Sequence, residues 1–578
     1  MRHLSTLVGI FFPAILFAQL QQTVFEKSGG TSTSTYEQAL DFYKDLAETS
    51  EYIQIKEMGS TDSGFPLHLV TLDLNRKFNF EESRKAGKSI ILINNGIHPG
   101  EPDGIEASMM LLRDYAFSKE KQETLENIVV AVIPIYNIGG ALNRNTSSRA
   151  NQNGPDEYGF RGNARNYDLN RDFIKADTRN TKSFYELFHL VKPDVFVDTH
   201  VSNGADYQYV ITHLATQHNK MGGEMGTFIE ETFTPELESK MRQKGNEITP
   251  YVNVFNTTPD ADGFSQFLDN PRYSTGYTTL FNTLGFMIET HMLKPFQMRV
   301  KASYQFLESV FELTDAYGKR IREIKIDQSR SLKPGDKYAV KWRLSKAKFK
   351  EIKFKGYIGE TIPSKVTGQS RLLYGRNRPF EKVLPYYNNF VPQVEVTVPK
   401  AYVIPKGWHK VIDRLKWNNV TMSELDSDTV LWVETYRIEN YKTSSSPYEG
   451  HYPHRSVAVS MSMQSTSFNK GDFLISIDQE NSRYIVEVLE PAATDSFFTW
   501  NFFDTILQQK EHFSPYVFED VAWQLLQRND SLKMEFEAKK KVNSEFANDW
   551  YSQLDFIYKH SDYYEKAHLA YPVYRIVK

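Results

Sequence analysis

Four short apolar runs decide what this chain can fold into. Ser89–Ile93 (SIILI), Ile128–Ile135 (IVVAVIPI), Val195–Val197 and Phe286–Ile288 read as strands buried on both faces. Between them Ile105, Met109 and Leu112 recur at helical spacing, as do Phe184, Leu187, Phe188 and Val191. Buried strands alternating with helices predict an α/β fold: an open, mostly doubly wound mixed sheet with helices on both faces. In such a sheet the functional side chains belong just past the carboxyl ends of the strands.

The pattern holds to about residue 325, and the chain has 578 residues, so more than one domain is expected. Beyond 325, Tyr338–Leu344, Val394–Val398, Val430–Tyr436, Val457–Met461 and Tyr484–Leu489 are strand-like stretches separated by Gly, Pro and Ser. From about Pro515 the spacing of Val517, Val521 and Leu525 turns helical. The expected division is a leader over 1–18, an α/β domain over 19–325, a β-rich region over 326–510 and a helical tail over 511–578.

Two features narrow the setting. The chain has no cysteine, which excludes disulfides, thiolate metal sites and Cys nucleophiles. Its net charge of −4 supplies no long-range field for nucleic acid or an anionic membrane, so neither is expected as a partner. Met1-Arg2-His3 followed by the apolar run Leu7–Ala18 reads as a secretory signal, too short for a span. A secreted or periplasmic protein is expected.

The stretch that speaks to chemistry is Asn94–Pro102. His98 and Glu101 stand just past the strand Ser89–Ile93, in a Gly/Pro turn leading into a helix. An imidazole and a carboxylate three apart can reach one Zn²⁺, and a catalytic zinc takes three protein ligands plus water. Asp198-Thr199-His200 closes a second buried strand and offers the third ligand. Glu289 ends a third strand, where a lone buried carboxylate is costly without a partner or a task. Four ionisable groups at three strand ends point to a metal hydrolase.

In order and spacing, HPGE (His98–Glu101), DLNRDF (Asp168–Phe173), DTH (Asp198–His200) and the strand-end Glu289 resemble the M14 family of zinc metallocarboxypeptidases. The resemblance covers roughly residues 35–325. It implies one zinc ion per chain on His98, Glu101 and His200, with Asp168 accepting a hydrogen bond from His98. It implies Asn170 and Arg171 as the clamp on a peptide's free C-terminal carboxylate, and Glu289 as general base for a metal-activated water. The family's carbonyl-polarising arginine falls among Arg144, Arg149, Arg161 and Arg165, of which Arg149 fits best. Its substrate-closing tyrosine falls on Tyr273 or Tyr277, and Tyr277 is taken as the substrate-binding residue. A second DLNR, Asp73–Arg76, precedes HPGE, where the family has no such element.

Other signals are weaker. His451 and His454 lack a carboxylate at useful spacing and read as loop histidines. Asp260-Ala261-Asp262-Gly263 lacks the later bidentate Glu of a calcium loop, and Gly87-Lys88-Ser89 lacks the first glycine of a phosphate loop. The expected activity is zinc-dependent removal of C-terminal residues from peptides or proteins with a free C-terminus. An amide hydrolase of cell-wall peptides or N-acyl amino acids on the same fold is the alternative. A catalytically inactive surface-binding protein is the third reading, disfavoured by the intact His98, Glu101, His200 and Glu289.

Overall fold

A computed structural model describes residues 21–577; the expected leader, 1–18, lies outside the described residues. Nine strands belong to the first region: β1 (Ile53–Ser60), β2 (Pro66–Leu72), β3 (Ser89–Asn94), β4 (Ile128–Ile133), β5 (Val195–Ser202), β6 (Ile211–Ala215), β7 (Thr249–Pro250), β8 (Phe264–Ser265) and β9 (Leu284–His291). All but β8 form one sheet in the order β1-β2-β4-β3-β5-β9-β6-β7. The four central strands are parallel, while β2 joins β4 and β6 joins β9 antiparallel. The four apolar runs are the middle of this mixed sheet, as their lack of polar alternation requires.

Both faces are covered. Ile91, Ile93, Val130, Val132, Val195 and Val197 point toward the helices Asp103–Phe117 and Phe296–Ser329. Ile90, Leu92 and Phe196 point the other way, toward the helix Arg179–Val191. That second core does not stop at residue 325: Tyr402, Ile404, Tyr484, Val486 and Trp500 belong to the same unbroken apolar cluster. The later region therefore packs on the α/β unit through a continuous core rather than hanging from a linker.

The later region opens with β10 (Lys337–Leu344), the long hairpin β11 (Lys350–Pro363) and β12 (Ser370–Tyr387), and β13 (Phe390–Thr397). A six-stranded sheet follows, built from β14 (Ala401–Ile404), β15 (Ser423–Glu424), β16 (Thr429–Thr443), β17 (His454–Phe468), β18 (Phe473–Ser476) and β19 (Tyr574–Ile576). One expectation fails here: Tyr484–Leu489 is not a strand but part of the helix Ser482–Leu489. The helix carries its polar Arg483 and Glu487 four residues apart, but Ile485, Val486 and Val488 are β-branched and mimic a strand. The tail is helical as expected, with helices at Pro515–Arg528, Asp530–Val542, Ser544–Asn548 and Trp550–Lys559. No helix among the described residues is long and apolar enough to cross a membrane.

Candidate metal centre and its cavity

Sheet geometry brings the four ionisable groups together. Past the end of β3, His98-Pro99-Gly100-Glu101 forms a tight turn closed by Glu101 N–H donating to the His98 carbonyl at 2.8 Å. Gly100 is needed there because a Cβ would meet the Arg149 side chain at 2.7 Å and the Gly159 carbonyl at 2.9 Å. On β5, strand alternation sends Asp198 and His200 to one side of the sheet. In the parallel β5–β9 register His200 is the direct partner of Glu289, so Glu289 stands beside it.

The three expected ligands converge. Nδ1 of His98 lies 3.2 Å from Nδ1 of His200 and 3.3 Å from Glu101 Oε1, and His200 Nδ1 lies 3.1 Å from Glu101 Oε2. All three residues are buried, and among the described residues they form the one cluster of such side chains able to hold a metal ion. The outward nitrogens explain the orientation. His98 Nε2 sits 3.0 Å from Asp168 Oδ1, and His200 Nε2 sits 2.8 Å from Asp198 Oδ2. A proton held on each Nε2 by a carboxylate leaves the Nδ1 lone pairs facing each other and Glu101. Such a donor set repels itself unless a cation lies between, and two imidazoles with one carboxylate suit Zn²⁺.

The electrostatics agree. Burial works to raise the Glu101 carboxyl, yet Arg149, His98 and His200 together hold it well below the usual range. Asp168 is likewise held far down against its burial, chiefly by His98 and Arg161. Burial would lower His200, but Asp198 and Glu101 carry it well above its ordinary value. Glu289 differs: burial pushes it up to about 7, with Glu101 adding to the rise and His200, Arg149 and Arg161 opposing it.

His98, Glu101, His200 and Glu289 line a cavity of about 530 Å³, together with Asn170, Arg171, Tyr251, Phe267 and Tyr273. Asn170 Oδ1 accepts the Ser274 N–H at 3.0 Å, and the Arg171 guanidinium lies 4.5 Å from the centre of the Tyr273 ring. Of the four candidate arginines two reach the cavity. Arg149 Nη1 donates to Glu101 Oε1 at 2.7 Å, and Arg161 Nε donates to Asp168 Oδ2 at 2.9 Å with its Nη1 3.6 Å from Glu101. Arg144 turns away to the Ser34 and Thr33 carbonyls, and Arg165 to the Asp177 carbonyl.

Tyr277 is a correction. It is fully buried, stacked on Tyr185 at 5.2 Å, and donates its hydroxyl to Asn418 Oδ1 at 2.7 Å. One helical turn separates it from Tyr273, and that turn carries it from the cavity wall into the core. Tyr273 and Tyr251 are the tyrosines that face the site.

Sequence reasoning passed over Asp198, although it sits two residues before His200 and so shares its side of the strand. It also passed over Ser274, whose hydroxyl donates to Asp198, and Tyr251, which lies in an irregular stretch with no periodic signal. Asp73 proves to be a turn residue, accepting the Asn75 and Lys77 N–H groups. His451 pairs with Asp177 at 2.7 Å and His454 with Asp504 at 2.9 Å, away from the metal cluster.

The M14 peptidase profile, described as zinc carboxypeptidase, matches residues 39–195. The chain is 22% identical to carboxypeptidase 2 of Trichophyton rubrum over 84% of its own length and 89% of that protein's. It is 21% identical to carboxypeptidase 2 of Trichophyton equinum over 85% and 90%. Over residues 39–195 the chain is thus similar to the M14 zinc carboxypeptidases. These likenesses support a peptidase, and the His98–Glu101–His200 cluster could hold a metal ion. A metallo-carboxypeptidase from Burkholderia cenocepacia aligns at 16% identity and a TM-score of 0.37, over 49% of this chain and 70% of its own.

Proposed function

We propose that the protein removes C-terminal residues from peptides, with one zinc ion held by His98, Glu101 and His200. Bound there, the ion would polarise the scissile carbonyl and make a water molecule acidic. Glu289 is the general base: its carboxyl, raised toward neutrality, is suited to take the water's proton and return it to the leaving amine. Asp168 and Asp198 fix the two imidazoles. Arg149 orients Glu101 and, with Arg161, adds positive potential where the carbonyl oxygen gains charge.

One observation carries the choice of an exopeptidase: Asn170 and Arg171 line the same cavity as the metal cluster and Glu289. A planar guanidinium backed by an amide suits bidentate capture of a terminal carboxylate. Tyr273 and Tyr251 take the wall position first given to Tyr277. Leu214 and Met287, register partners on β6 and β9, line the recess with Phe267, which suits an apolar or aromatic terminal side chain. We further propose that the chain is exported, on the strength of its N-terminal sequence.

The test is hydrolysis of N-blocked dipeptides ending in Phe or Arg, as free acids and as amides, with and without chelator. Chelator-sensitive cleavage of the free acids, with Phe ahead of Arg, is expected. Equal cleavage of acid and amide would remove the carboxylate clamp from the reading.

A further inference from the structure

The loop of the β16–β17 hairpin reaches the Tyr167–Asp168 segment, which leads into the cavity wall at Asn170 and Arg171. Its outer turn, Tyr448-Glu449-Gly450-His451, is closed by Tyr448 N–H donating to the His451 carbonyl at 2.7 Å and the reverse bond at 3.1 Å. Both central residues have positive φ, 49° at Glu449 and 79° at Gly450. Gly450 suits its place twice, because a Cβ there would also meet the Tyr167 hydroxyl at 2.7 Å. Glu449 does not suit its place. Asn, Asp or Gly is the usual residue at the first centre of such a turn, and glutamate is strained there.

What Glu449 does with that position is specific. Its Oε2 accepts the backbone N–H of Asp168 at 2.9 Å. Asp168 begins the short turn Asp168–Arg171, and its own carboxylate accepts the Asn170 N–H as well as facing His98. Close by, Asp495 of the later region takes the Arg272 N–H and Nε–H at 2.9 and 2.8 Å, next to the Tyr273 ring that lies under Arg171. Both segments that carry the cavity's clamp side are thus held from outside by residues far along the chain.

We propose that Glu449 is a positioning residue for the active site, setting the Asp168–Arg171 turn so that Asp168 meets His98 and Asn170–Arg171 meet the substrate carboxylate. The later region is then part of the site's framework. A strained backbone position kept for one side-chain bond is what a positioning role leaves behind. The substrate half of this inference rests on the carboxylate-clamp reading of Arg171; the metal half does not.

The experiment compares full-length Glu449→Gly and Glu449→Gln with wild type, reading KM and kcat on free-acid and amide dipeptides, zinc affinity by chelator competition, and Tm. Glycine relieves the backbone, so Glu449→Gly should melt no lower than wild type. It should nonetheless raise KM for free acids by about 3–30-fold and weaken zinc by a similar factor. Glu449→Gln keeps an acceptor oxygen and should stay within about threefold on every reading. Arg171→Ala is run alongside. If it raises KM while Glu449→Gly changes neither KM nor zinc affinity, the positioning role is wrong and the exopeptidase reading stands. If Arg171→Ala leaves KM unchanged, the clamp reading falls, and unaltered zinc affinity in Glu449→Gly then overturns the inference too.

Discussion

The two sides of the cavity are built differently. The metal side stands on the sheet: His200 and Glu289 are register partners on β5 and β9, and His98 and Glu101 occupy one tight turn past β3. The substrate side stands on connecting segments. Asn170 and Arg171 lie in a three-residue 3₁₀ turn, Tyr273 precedes a six-residue helix, and Tyr251 sits in irregular chain. Strand positions are fixed by ladders of backbone hydrogen bonds and a close-packed core, whereas loop positions hold only where something braces them. Here that brace comes from the later region, through Glu449 and Asp495. One element joins the two sides: the Asp168–Arg171 turn carries both the carboxylate that faces His98 and the residues Asn170 and Arg171 of the substrate side.

The largest effect should come from the metal side. His200→Ala removes a ligand and leaves Asp198 and Glu101 facing each other across the gap, so zinc should be lost and activity should fall to background. Chelation of the wild type should do the same, with activity returning on added Zn²⁺. Stoichiometric zinc in active His200→Ala would break the ligand assignment. Next comes Glu289→Gln, which keeps the shape and removes the base. Its kcat should drop by roughly 10²–10⁴ with zinc retained.

A crossed pair of variants tests the comparison itself. Asp198→Asn weakens the hold on the His200 imidazole, so zinc affinity should fall by about 10–100-fold. Arg171→Ala should leave zinc affinity in place and raise KM for free-acid substrates alone, with Arg171→Lys recovering only part of the loss. If both variants moved both quantities equally, the two sides would not be separable.

The same contrast decides what the sequence made legible. The metal side was readable because apolar runs locate strand ends, and strand ends locate His98, Glu101, His200 and Glu289. Asp198 was readable on the same grounds, by strand alternation. The substrate side yielded only where a compact motif stood, at Asn170–Arg171. Tyr277 was misplaced because two tyrosines four residues apart lie in one local stretch of sequence, and only packing against Tyr185 and Asn418 separates wall from core. Glu449 carries no local signal at all, since its meaning comes from a contact 281 residues away along the chain. Tyr484–Leu489 failed because its β-branched Ile485, Val486 and Val488 outweighed the four-residue spacing of Arg483 and Glu487.

The smallest predicted effect concerns what the base costs the fold. Glu289 is raised to about 7 mainly by burial, against about 4.3 for an unfolded glutamate. Between those values the folded chain holds a proton that the unfolded chain has lost, so in metal-free protein this group makes stability fall as pH rises. Its favourable share is complete below the unfolded value and gone above the folded one. Glu289→Gln cannot ionise and removes that slope. Measured in chelator, its Tm should match wild type near pH 4.5, pull ahead through neutrality, and level off by about pH 8. The gap there should be on the order of 1–2 kcal/mol, less than full burial would give because the carboxylate opens onto the cavity. Glu101 should show no such gain, since it is held down rather than up and its stabilising share is lost only as pH falls. A Tm difference that stayed flat from pH 5 to 8 would mean that Glu289 is not held near neutrality in the metal-free fold, and that burial alone does not tune this base.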